Sequence, residues 1–77
     1  MSDVRTVDAR GHRCPVPTLR LRRALEEVAP GAHVRLIADD PLARIDVPHF
    51  AASAGATVLE IVDAPNGAIN FLVAKAP

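Results

Sequence analysis

"PVPTLRLRRALEEVAPG", residues 15–31, is where the chain changes its period. Leu21, Ala24, Leu25 and Val28 recur at i, i+3, i+4 and i+7, which places them on one face of a helix. Arg20, Arg23 and Glu27 fall on the other side. Glu26 and Glu27 follow Arg22 and Arg23 by one turn, a spacing that adds at most about 0.5 kcal/mol per pair. Pro15 and Pro17 suit the start, because a first-turn amide has no intrahelical acceptor to lose. Pro30-Gly31 stops the helix.

Period two governs the flanks. "VRTVDA" (4–9) alternates as a short strand ended by the Arg10-Gly11 turn signal. "HVRLIA" (33–38) predicts a second strand with Val34, Leu36 and Ala38 on one face and Ile37 on the other. After the polar break "DDP" (39–41), Asp46 is expected to cap a second helix, with Pro48 in its first turn. Val47, Phe50, Ala51 and Ala54 would face inward, and Gly55 would end the helix. "FAASAGA" reads as ordinary close helix packing. "TVLEIV" (57–62) and "AINFLVA" (68–74) are β-rich runs joined by Pro65-Asn66-Gly67, a strong hairpin signal. The order β-α-β-α-β-β predicts an α/β (α+β) two-layer sandwich, a four-stranded mixed sheet with two helices on one face. That arrangement buries both helix stripes in a short chain.

Seventy-seven residues suit one domain, 1–77, with a modest core. A composition 49% hydrophobic and 23% charged belongs to a folding chain. Nine basic and nine acidic residues argue against a generic nucleic-acid coat. The charge is uneven: residues 1–38 carry seven Arg and four acids, residues 39–77 two basic groups and five acids. A basic face that steers an acidic partner is one outcome, and two solvated faces the other. No apolar run reaches the roughly 20 residues that span a bilayer, so no membrane association is expected. "MSDVRTVDARG" has neither a basic n-region nor an apolar h-region, and the expected compartment is the cytoplasm. One cysteine permits no internal disulfide, in keeping with a reducing compartment.

That cysteine, Cys14, lies in "RGHRCPVP" (10–17). A buried, inert thiol is the plain alternative. Against it stand Arg13 and Arg10 nearby, the predicted helix start, and Pro15, which disfavours helical dihedrals at residue 14. Helix-start amides and guanidinium groups favour thiolate, so a lowered pKa is expected. Thioredoxin-type exchange lacks a resolving thiol. A cysteine protease needs a histidine base, for which His12, His33 and His49 are available, but a chain this short leaves little wall for a peptide cleft. Cys14 with His12 matches no structural zinc spacing, and neither metal nor cofactor is expected. What remains is an exposed thiol that receives a group from one protein and gives it to another.

The chain resembles the TusA/SirA-like sulfur-carrier family over nearly its whole length. Cys14-Pro15-Val16-Pro17 is similar to the Cys-Pro-x-Pro hallmark that opens that family's first helix. "DARG" (8–11), Asp39-Asp40-Pro41, Asp46-Val47-Pro48 and Gly55 agree in order and spacing. His12 departs from the leucine that many members have there. The resemblance implies the same β-α-β-α-β-β sandwich and a sulfurtransferase in which Cys14 accepts sulfane sulfur as a persulfide. The implied donor is a cysteine desulfurase or rhodanese-like protein, and the acceptor another sulfur-relay protein. The implied routes are tRNA thiolation, molybdenum-cofactor maturation or sulfur oxidation.

Around that site, Pro15, Pro17 and Gly11 are expected to shape the junction. Pro17→Ala should loosen it more than it harms the core. Arg13, Arg10, Arg20, Arg22 and Arg23 are candidates for partner docking, Arg13 first by proximity. Asp40 and Asp46 read as turn and cap residues, and Thr18 as a local first-turn hydrogen bonder without chemistry. Two rivals remain: a non-catalytic interaction or regulatory domain of the same fold, and a small nucleic-acid-binding domain. The latter lacks Trp and Tyr, and Phe50 and Phe71 fall on apolar faces, so direct nucleic-acid contact is not expected.

Overall fold

A computed structural model describes residues 4–77; the first three residues of the stretch read above for a leader lie outside the described residues. The elements are β1 (Val4–Asp8), α1 (Val16–Glu27), β2 (His33–Ala38), α2 (Ala43–Ala54), β3 (Thr57–Asp63) and β4 (Ile69–Ala74). The sheet order is β1-β2-β4-β3, with β1 parallel to β2 and the other pairs antiparallel. This is the expected α+β fold with a mixed sheet.

Alternation decides which face is covered. In β2 and β4, Val34, Leu36, Ala38, Ile69, Phe71 and Val73 are buried, while the residues between them are half-buried. Leu21, Ala24 and Leu25 of α1 and Ala43 and Val47 of α2 complete the core on the buried side, with Val28 packed at its edge. Ile37 looks the other way, as its register requires. The α1 ion pairs Arg22–Glu26 and Arg23–Glu27 form at 3.6 and 3.7 Å on the exposed side.

Turn chemistry links the layers. Gly55 ends α2 in the left-handed region, and the Ala56 amide donates to the Ala51 carbonyl. The β3–β4 turn closes through the Ala64 amide to the Ala68 carbonyl, with Gly67 at φ +85°. A register shift between Val58 and Glu60 puts a bulge in β3 that no local residue pattern announced.

Three expectations are corrected. Helix α2 begins at Ala43, three residues before Asp46, so Pro48 lies inside it rather than in its first turn. The amides of Ala43, Arg44 and Ile45 already turn back onto Asp40, Pro41 and Leu42, which nucleates the helix upstream. Ala54 is exposed and Phe50 only half-buried, because the earlier start leaves Ala43, Val47 and Ala51 as the covered stripe. Pro17 is fully buried. Pro17→Ala therefore removes core contact as well as stiffness, for a loss of about 2 kcal/mol. A thermal melt should fall by about 10 °C; an unchanged melt with altered Cys14 reactivity would restore the junction-only role.

Candidate functional site

The approach to Cys14 is held by two neighbouring carboxylates. Gly11 sits at φ +83°, and its amide donates to both Asp39 oxygens at 3.0 and 3.1 Å. A residue with a Cβ would be strained there. The Cys14 amide donates to Asp40 Oδ2 at 2.8 Å, and the Leu42 amide to Asp40 Oδ1 at 3.0 Å. Asp40 is thus the turn residue expected, and it also fastens the cysteine backbone to the entrance of α2. The Cys14 and then the Leu42 amide hold its carboxyl below the usual carboxylate range.

Pro15 stands at the cap position of α1, and Pro17 follows in the first turn. Asp46 is not a cap. From the first turn of α2 its Oδ2 accepts the Thr18 hydroxyl at 2.6 Å. This bond ties the first turns of the two helices together and gives Thr18 a role that sequence reasoning missed. The only sequence signal for it was a polar residue four positions after the cysteine on an otherwise apolar helix face.

Cys14 is half-buried and packs against the edge of the core. It lines an open cleft with Pro15, Leu42, Ile45 and Asp46. Burial, then the charges of Asp40 and Asp46, push the thiol pKa up, while the Thr18 hydroxyl opposes them. The expected lowering is therefore reversed. Arginines adjacent in sequence suggested a cationic setting, but folding brings two carboxylates to the sulfur from distant parts of the chain. Iodoacetamide reactivity against pH should accordingly show a midpoint above the ordinary thiol value of about 8.5. Asp40→Asn and Asp46→Asn should each lower it. A wild-type midpoint below the ordinary value would overturn this electrostatic picture.

Several of the candidate docking arginines are already engaged by carboxylates of this chain. Arg10 is engaged by Asp8 through bonds of 2.8 and 2.9 Å, and holds that carboxyl down at about 2. Arg23 pairs with Glu27. Arg20 is exposed on α1. Arg13 stays beside the site, lining a recess with exposed His12, Asp40 and Leu42. Beside Asp46, the Cys14 cleft is walled by apolar side chains that are largely open to solvent: Leu42 is 59% and Ile45 72% exposed.

An open α+β sandwich presenting a Cys-Pro-x-Pro cysteine where its first helix begins defines a class of small thiol-bearing proteins. The family model "Sulfurtransferase TusA" matches residues 5–75, and the chain belongs to that family. A relative in Archaeoglobus fulgidus named "Putative sulfur carrier protein" is 34% identical over 70 residues, 91% of each chain. The crystal structure of a SirA-like protein from Desulfitobacterium hafniense superposes with a TM-score of 0.85 at 28% identity, covering 97% of this chain and 100% of that one. Among the described residues, no helix is long and apolar enough to cross a membrane.

Proposed function

We propose that this sulfur carrier, working as one domain over residues 1–77 in the cytoplasm, loads sulfane sulfur on Cys14 as a persulfide and relays it to an acceptor protein. Its donor is a cysteine desulfurase or rhodanese-like protein. Its acceptor belongs to tRNA thiolation, molybdenum-cofactor maturation or sulfur oxidation. The observation that carries this reading is a half-exposed thiol in an open cleft, its backbone fixed by Asp40.

In loading, the Cys14 thiolate attacks the outer sulfur of the donor persulfide. A new S–S bond forms, the donor's own S–S bond breaks, and its electron pair leaves on the donor sulfur. Release repeats the step with an acceptor thiolate, and Cys14 departs as thiolate. The acidic surroundings bear unequally on the two states. In the free protein burial, and then these carboxylates, disfavour the thiolate and slow its reaction with stray electrophiles. Once loaded, the charge sits on the outer sulfur, about 2 Å further out, and a persulfide is the stronger acid.

Leu42 and Ile45 flank this chemistry with exposed apolar surface suited to a partner's contact, and Arg13 lines the adjoining recess with Leu42. The raised thiol pKa is the one feature that favours an interaction domain with an idle cysteine instead. Relay separates the two. Loaded protein, freed of donor, is mixed with a reduced acceptor protein of these routes. Radiolabelled sulfur should load on Cys14 and then pass to the acceptor; protein that takes up no label, or never gives it to an acceptor, would favour the interaction domain.

A further inference from the structure

The sheet has one covered face and one open face. Both helices pack on the side of Val34, Leu36, Phe71 and Val73. The residues between these point the other way, and the register sets them in rows across β2, β4 and β3. One row reads Arg35–Leu72–Glu60, with Arg35 and Glu60 one strand to either side of Leu72. The next reads Ile37–Asn70–Val62. The β3 bulge is what brings Glu60 and Val62 here: without it Leu59 would stand beside Leu72, and Glu60 would turn inward beside Phe71. Ile37 and Leu72 are half-buried, and Val62 is 50% exposed. Among the described residues neither Arg35 nor Glu60 has an ion-pair partner.

These rows are self-complementary about β4. A half-turn about an axis along β4 sets Arg35 over Glu60, Ile37 over Val62, and Leu72 and Asn70 each over its own copy. Opposite charges then meet, apolar side chains meet, and two amides exchange donor and acceptor. The row His33–Ala74–Thr57 opposes no like charges. An axis across the strands would instead set Arg35 over Arg35. We infer that this open face joins two copies of the chain about a two-fold axis along β4, with Arg35 of each copy set against Glu60 of the other. Stacked sheets lie about 10 Å apart, a gap that an arginine and a glutamate span together. The overlap is three strands wide, about 14 Å. That is small for a protein interface, so the dimer is weak and its population rises with concentration. Cys14 packs against the helix-covered core, so both thiols stay open in the pair.

Sedimentation equilibrium tests this on the full chain, from about 10 μM to about 1 mM, a range that suits weak association. The wild-type mass should climb from one chain toward two. Arg35→Glu and Glu60→Arg should each hold at one chain throughout, because like charges then meet at both ends of the interface. An equimolar mixture of these two variants should dimerise again, since every charged contact between unlike copies is opposite once more. Arg35→Gln and Glu60→Gln are milder changes, with folding checked by circular dichroism. Each should weaken the wild-type dimer about tenfold through the loss of two pairs. A wild type that stays at one chain mass over the whole range overturns the proposal. So does a dimer that the folded charge variants leave unchanged, or one that they abolish and their mixture does not restore.

Discussion

Cys14→Ser is expected to lose all sulfur loading and relay while melting within a few degrees of the parent. Serine differs from cysteine by one atom, and residue 14 is a half-buried residue at the edge of the core. Its backbone bond to Asp40 does not involve the side chain, so the junction into α1 survives. Substitutions at such places move stability by about 0.5 kcal/mol, or about 2–4 °C for a domain of this size. A hydroxyl, by contrast, is neither ionised near neutrality nor a leaving group for sulfane sulfur, so no partial activity is left. Transfer from a desulfurase and a thermal melt on the same preparation read both halves. Loss of transfer together with a collapse of the melt would make Cys14 a packing residue instead.

Phe71→Ala carries the largest expected stability loss. Phe71 is 0% exposed on the central strand β4, opposite Leu36 of β2 and Ile61 of β3. It is the largest of the fully buried side chains. Truncating such a ring in a close-packed core costs about 3–5 kcal/mol, a large share of the 5–15 kcal/mol that holds a typical domain. The melting temperature should drop by about 20 °C or more. Sulfur loading at low temperature should persist in the fraction that stays folded, since Cys14 is not on this strand. A drop of under about 5 °C would mean that the ring is not where the β4 register places it.

The strands, α1 and the β3–β4 hairpin were legible because each rests on short-range rules. Alternation in "HVRLIA", the Leu21–Val28 stripe and Asn66-Gly67 need no knowledge of the rest of the chain. The start of α2 was not legible. Asp46 is a good cap by type, but Asp40 and the Pro41–Leu42 turn begin the helix earlier and free Asp46 for a bond across 28 residues. The same holds for the sulfur. Neighbouring arginines were visible, whereas the burial and the two carboxylates that raise the thiol pKa arrive through tertiary structure. Arg10 could not be seen to be engaged by Asp8. The apolar rim of Leu42 and Ile45 was hidden as well, since exposure of a leucine or isoleucine follows from packing rather than from type.

The central claim is that Cys14 takes up sulfane sulfur, and intact mass tests it most directly. The full chain is incubated with a cysteine desulfurase and cysteine, then weighed before and after dithiothreitol. A gain of about 32 Da, one sulfur atom placed on the thiol as a persulfide, should map to Cys14 and vanish on reduction. An unchanged mass, or a gain that persists in Cys14→Ser, would contradict the account.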